Sequence, residues 1–260
     1  MTDATERRRE PGTTTDRPRG TMPDAAALGR AVADILGPGC RSVILHGSLA
    51  AGGFRPGVSD LDLLAVAEGP LTDDQADSLV RLAGDAALGE AAGLDLHVVT
   101  AEVARRPSAE PPLELLVGRH CGEPGLEVER RRPAWPDLPA ELSMARQDGV
   151  VLTGAPGVLA PVPAEWVVAR GRHWLRTWQS LTGDTAHAAF MVLTACRIWQ
   201  FAAERVHSPK TDAARWVLAR DPSLSAVRQA LRQYEGDPAA VVDEPGLAVL
   251  LETALRHTAR

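Results

Sequence analysis

The chain changes texture once, at Pro163, and that change limits it to a two-part fold. Before it, short β-branched runs alternate with stretches of helical periodicity; after it, apolar residues recur only at helical spacing. From Asp24 to Leu36, residues Ala27, Leu28, Ala31, Val32 and Ile35 share one helical face behind an Asp24 N-cap, and Gly37-Pro38-Gly39 stops the run. Ser42 to His46 and Leu61 to Val66 read as strands, separated by the Gly- and Pro-containing stretch Ala51 to Ser59. Asp73 to Leu88 reads as a second helix and Leu94 to Val99 as a third strand. Leu113 to Arg131 adds further strands, and Pro133, Pro136 and Pro139 mark a linker before a helix over about residues 140–149. Five helices follow, over Trp166–Leu181, Ala186–Arg205, Thr211–Arg220, Leu224–Tyr234 and Glu244–Arg256. The expected layout is a tail over 1–20, an α+β domain over 21–160 and an α-helical bundle over 161–260.

Composition removes several classes. With 45% hydrophobic and 24% charged residues in 260, the chain is neither disordered nor fibrous. A net charge of -6 argues against a nucleic-acid partner held mainly through its phosphate backbone. No apolar run approaches the ~18 residues of a membrane span; Ala186 to Cys196, the best candidate, runs straight into Arg197. Arg7, Arg8 and Arg9 have no apolar segment behind them, so the first 20 residues read as a disordered tail and not as a signal peptide. Cys40, Cys121 and Cys196 are far apart and odd in number, which signals neither a disulfide framework nor a zinc knuckle and fits a reducing, cytoplasmic compartment. A monomer is expected. Of the 28 basic residues, 27 are arginine and one, Lys210, is lysine, which raises the question of whether that position needs a compact ammonium.

The segment richest in chemistry is His46-Gly47-Ser48, an eleven-residue gap, and Asp60-Leu61-Asp62. Strand side chains alternate faces, so Asp60 and Asp62 point the same way while Leu61 and Leu63 go to the core. Two carboxylates in one patch repel unless cations neutralise them, and oxygen donors of this kind suit Mg²⁺. Gly47 lets the backbone approach an anion, and Ser48 adds a hydroxyl and an amide. Asp95, within Leu94-Asp95-Leu96-His97-Val98, falls with His97 on the face opposite the apolar residues and can complete a triad. Three carboxylates around two metal ions, with a triphosphate delivered by a Gly-Ser turn, is an arrangement for phosphoryl or nucleotidyl transfer.

Together these residues resemble the nucleotidyltransferase superfamily, whose fold is shared with DNA polymerase β. The run from Val192 to Trp199, which contains Arg197-Ile198-Trp199, and the run Ser208-Pro209-Lys210 to Trp216 are similar to the helical C-terminal domain of the aminoglycoside 3''/9 adenylyltransferases, the spectinomycin and streptomycin resistance enzymes. The resemblance covers residues 24–235 and implies a polymerase β-like domain with a mixed sheet, closed by the helical domain. It implies that Gly47 and Ser48 hold the ATP phosphates, that Asp60, Asp62 and Asp95 bind two Mg²⁺, and that Arg197 and Lys210 reach the triphosphate from the helices. Asp95 stands where the family has its catalytic-base glutamate, one methylene longer. Trp178 matches in its spacing from Arg197 a Trp near the family's drug-binding region; Asp184 loosely matches one acidic drug-binding position, and His187 stands where a further acid is expected. The first-domain Trp of streptomycin-binding members has no clear counterpart near His120.

The resemblance implies an Mg-ATP-dependent adenylyltransferase that places AMP on a hydroxyl of a small cationic aminoglycoside or aminocyclitol of the spectinomycin or streptomycin type. The acidic net charge suits such a substrate. Two alternatives stand beside it: the same chemistry on a biosynthetic sugar or a protein side chain, and a catalytically silent nucleotide-binding module.

Overall fold

The computed structural model describes residues 24–122, 124–237 and 239–259; the tail expected over 1–20 lies outside them. In chain order the elements are α1 (Ala25–Leu36), β1 (Cys40–His46), α2 (Gly47–Ala50), β2 (Leu61–Ala67), α3 (Asp73–Asp85), β3 (Gly93–Thr100), α4 (Ala101–Arg105), β4 (Leu113–His120), β5 (Glu127–Arg132), α5 (Leu138–Asp148) and β6 (Val150–Gly154). Five longer helices complete the chain: α6 (Ala164–Trp178), α7 (Ala188–Glu204), α8 (Lys210–Arg220), α9 (Ser225–Tyr234) and α10 (Glu244–His257). The strands form one sheet in the order β5-β4-β3-β2-β1-β6. Among the described residues only the β2–β3 pair is parallel, so the sheet is mixed, as expected.

Capping explains where the first helices begin. Asp24 accepts from the Ala27 amide at 2.8 Å, and Thr72 with Gln75 forms a reciprocal capping box at the start of α3. Alternation then sorts the strand residues. Leu61, Leu63 and Ala65 pack with Val32 of α1 and Leu79 of α3 on one face. Leu64, Val66 and Val99 pack with Leu138 and Leu142 of α5 on the other. In the helical half, Val192, Leu193 and Cys196 of α7 are surrounded by Leu175, Val217, Val227 and Leu250 from the other four helices.

Several local expectations need correction. β6 was not anticipated, because its five residues are partly or wholly exposed and show no alternation; pairing with β1 makes it a strand. The short helices α2 and α4 have too few residues for a periodic signal. α3 stops at Asp85, three residues early, where Ala86 turns extended. α5 starts at Leu138, with Pro139 in the first turn where its missing amide costs nothing. Helix α5 joins the two halves: Arg170 of α6 donates twice to Asp137, at 2.6 and 2.7 Å, and Trp174 Nε1 donates to the same carboxylate at 2.7 Å. The Gln147 side-chain amide donates to the His207 carbonyl at 2.9 Å and accepts from the His207 amide at 2.8 Å.

Candidate active site

Strand register lines the site up in rows. The pairings His46–Asp62, Asp62–Asp95, Asp95–Gly118 and Gly118–Glu127 run straight across β1 to β5. The neighbouring row holds Asp60 just before β2, Gly93, and His120 opposite Gly93. Because faces alternate, Asp60 and Asp62 lie on the same side as Leu64 and Val66, the side covered by α5. Two glycines make room for these carboxylates. Gly47 has φ +66, and a Cβ there would overlap the Asp62 carboxylate. A Cβ on Gly93 would stand 2.5 Å from Asp60 Oδ1 and 2.7 Å from His120 Nδ1.

Crowding shows in the proton affinities. Burial, then the charges of Asp95 and Asp60, pushes Asp62 up to about 7, against the pull of Arg197 and Lys210. Burial raises Asp95 to about 6, with His120 opposing and Asp60 and Glu127 adding to the rise. A fourth carboxylate, Glu141 on α5, is pushed up to about 8 by burial and by Asp62 and Asp95. Its Oε2 lies 3.7 Å from Nδ1 of His46, whose own value burial lowers to about 3, so between about pH 3 and about pH 8 this contact joins two neutral groups.

Positive charge comes from the other half. Arg197 lies on α7 and feels Glu141 and Asp62 most strongly among its charged neighbours; its Nη2 donates to Met144 Sδ at 2.8 Å. Lys210 opens α8, feels both Asp60 and Asp62, and holds its Nζ 5.1 Å from the Phe190 ring centroid. Burial and mutual repulsion lower the Lys210 ammonium. Among the described residues neither cation forms an ion pair within 4.0 Å of a carboxylate. The loop after Ser48 reaches this half too: a Cβ on Gly53 would touch Pro209, and the Arg55 guanidinium lies 4.6 Å over the Tyr234 ring.

Among the described residues the buried Ser48 Oγ has no hydrogen-bond partner, an orphan donor in the turn after β1. Gly47, Ser48, Asp60, Asp62, Asp95, Arg197 and Lys210 are thus brought to one region. Trp178 is 7% exposed and belongs to the helical core, stacked on Trp174 and edge-on to Phe190, the ring that Lys210 covers. Exposed His187 and half-buried Asp184 contact each other at 2.7 Å before α7. Sequence reasoning missed Glu141 and His46. An acid next to the buried Leu142 and a histidine ending an apolar strand were the available signals, and neither tells which way the side chain faces the site.

The carboxylates of Asp60, Asp62 and Asp95, close enough to raise one another's proton affinity, are the donor type that fits a hard divalent cation. One carboxylate oxygen each from Asp60 and Asp95 and one ring nitrogen of His120 lie within 4.8 Å of one another.

Residues 157–256 match the family model described as the aminoglycoside adenylyltransferase C-terminal domain. The fold matches the crystal structure of a spectinomycin adenyltransferase, AAD(9) from Enterococcus faecialis, solved with ATP and spectinomycin. The TM-score is 0.66 over 89% of this chain and 96% of that one, at 17% sequence identity. The architecture of that structure, an α+β domain followed by a helical one, is therefore the fold of this chain.

Proposed function

We propose, for a chain whose residues 157–256 match the aminoglycoside adenylyltransferase C-terminal domain model, an Mg-ATP-dependent adenylyltransferase acting on an aminoglycoside or aminocyclitol of the spectinomycin or streptomycin type. One observation carries this reading. Two cations on the helices, Arg197 and Lys210, sense Asp62 on the sheet and yet lack a paired anion, leaving an electropositive gap opposite a carboxylate patch. A triphosphate with its metal ions fills such a gap with charges of the right sign on each side.

The residues divide the work. Ser48 donates its unpartnered hydroxyl to a phosphate oxygen, and Arg197 and Lys210 neutralise the triphosphate from the opposite side. Asp60 and Asp62, with Asp95, would hold Mg²⁺, which when bound supplies positive charge for the phosphates. The acceptor oxygen attacks the α-phosphorus, the bond from that phosphorus to the bridging β-phosphate oxygen breaks, and pyrophosphate leaves. Asp95 takes the hydroxyl proton as general base. The acidic surface of the site favours a cationic acceptor, and Trp178, Asp184 and His187 are proposed to line its end of the cleft.

Incubating the purified protein with ATP, Mg²⁺, and spectinomycin or streptomycin tests the reading. Pyrophosphate release with a drug mass increased by one adenylyl group is expected. Absence of both with every drug, in a protein that still binds Mg-ATP, rejects the drug as acceptor.

A further inference from the structure

The connection from α7 to α8 runs from Arg205 to Pro209 and leads straight into Lys210. It leaves α7 through Arg205 in the left-handed region, at φ +59. His207, at its middle, is held on three sides. Its ring stacks on Phe201 of α7 with centroids 4.3 Å apart and planes at 27°, and its Nε2 lies 2.8 Å from Ser143 Oγ of α5. The Gln147 side chain, one turn further along α5, takes both the His207 amide and its carbonyl. Phe201 is itself buried against Val167 and Val168, so the stack has a fixed floor. Burial, with the charge of Arg197 next, lowers the imidazole to about 4, so near neutral pH the Ser143 contact is a hydrogen bond between neutral groups. From His207 onward the backbone has little freedom. Proline fixes its own φ and keeps the residue before it extended; Pro209 has φ -53, and Ser208 precedes it. Pro209 is also packed by the loop that follows Ser48, where a Cβ on Gly53 would stand 2.8 Å from the proline Cβ.

We infer that His207 is a positioning residue for nucleotide binding: seated on Ser143 and Gln147 of α5, it sets where Lys210 stands opposite the carboxylates of the sheet. Helix α5 packs on the sheet face that carries Asp60 and Asp62. A loop pinned to α5 therefore places the ammonium relative to the sheet, and not merely relative to the helices of its own half. The inference rests on the proposed nucleotide role of Lys210 and adds to it the group that orients that ammonium. The competing arrangement is a latch that ties the two halves together and adds stability without aiming Lys210.

A double-mutant cycle on the full-length protein separates the two, read as Mg-ATP affinity by calorimetry with the melting temperature recorded beside it. His207→Ala should weaken Mg-ATP by about fivefold or more, the size of coupling found between residues that act together. In a Lys210→Ala background the same change should cost less than about twofold, because the group it aims is already gone. Wild-type affinity in His207→Ala, or a loss of equal size with and without Lys210, overturns the inference whatever the melting temperature does, since a latch that only stabilises weakens both backgrounds alike. Should His207→Ala not fold, Ser143→Ala takes its place under the same two criteria, because it removes one hydroxyl and leaves the Phe201 stack and the Gln147 contacts in place. If Lys210→Ala alone binds Mg-ATP as wild type does, the nucleotide role of Lys210 fails and the positioning role falls with it. AMP transfer measured in parallel keeps the claims apart. Transfer without the coupling rejects His207 as a positioning residue and leaves the adenylyl reading standing; the coupling without transfer to any acceptor leaves His207 standing and rejects the adenylyl reading.

Discussion

Asp62 and Asp95 are paired residues in the one parallel ladder of the sheet, so their carboxylates leave adjacent strands on the same face. Each raises the cost of ionising the patch, and Asp62 reaches about 7 as a result of burial first and of Asp95 and Asp60 next. Asp62→Asn is expected to lower turnover by about 10²-fold or more, because electrostatic stabilisation of developing charge is usually the largest catalytic contribution. The same change should stabilise the metal-free fold at pH 8. An acid whose folded value is raised loses its stabilising contribution as pH climbs from 3.8 to about 7, and asparagine does not titrate. Steady-state rates and thermal unfolding check the two halves of this prediction.

Glu141 makes the clearest pH experiment. Its folded value of about 8 lies above its ordinary 4.5, so its contribution is intact below pH 4.5 and lost as pH rises to 8. Wild type should therefore lose stability relative to Glu141→Gln over that window, with the two converging at the acid end. Parallel denaturation curves at every pH would mean that the carboxylate titrates alike folded and unfolded.

Lys210→Ala should weaken ATP binding by about tenfold or more, the ~1.4 kcal/mol per decade that losing one charge-assisted contact involves. Lys210→Arg should recover only part of it, because a planar fork replaces a compact charge. Calorimetric titration of ATP into wild type and both variants decides, and three equal affinities would place the ammonium outside the nucleotide site.

Gly47→Ala should damage the site and the fold together. The left-handed φ of +66 costs an L-residue about 1–2 kcal/mol, and the added methyl displaces the Asp62 carboxylate. A lower melting temperature and a fall in kcat/KM are expected; wild-type values for both would contradict the packing described for this turn.

Asp137→Ala probes the joint between the halves. It removes a two-pronged contact with Arg170 and the acceptor for Trp174 Nε1. Hydrogen bonds to charged groups each contribute about 1.5–3 kcal/mol, so a stability loss of that order is expected by denaturant unfolding, and no loss would show that α5 and α6 are held by apolar packing alone.

Much of this molecule is legible without coordinates. Helices α1, α7, α8, α9 and α10 and strands β1 to β3 follow from periodicity within one or two residues, because a face that must be buried repeats at 3.6 or at 2 regardless of its neighbours. β6 and α2 escape that logic, since a short exposed strand exists through its partner β1 and a single turn has no period.

The candidate site divides along the same line. Residue order alone determined that Gly47 and Ser48 follow one strand while Asp60 and Asp62 stand at the start of the next, and that Asp60 and Asp62 share a face, because alternation is a property of the strand itself. Only the tertiary structure decided that β2 and β3 run parallel in a register that sets Asp95 beside Asp62, that β4 returns His120 to Asp60, and that α5 lays Glu141 over them. Register and helix packing are settled by contacts between segments tens of residues apart, where the buried area of the whole sheet outweighs any local preference.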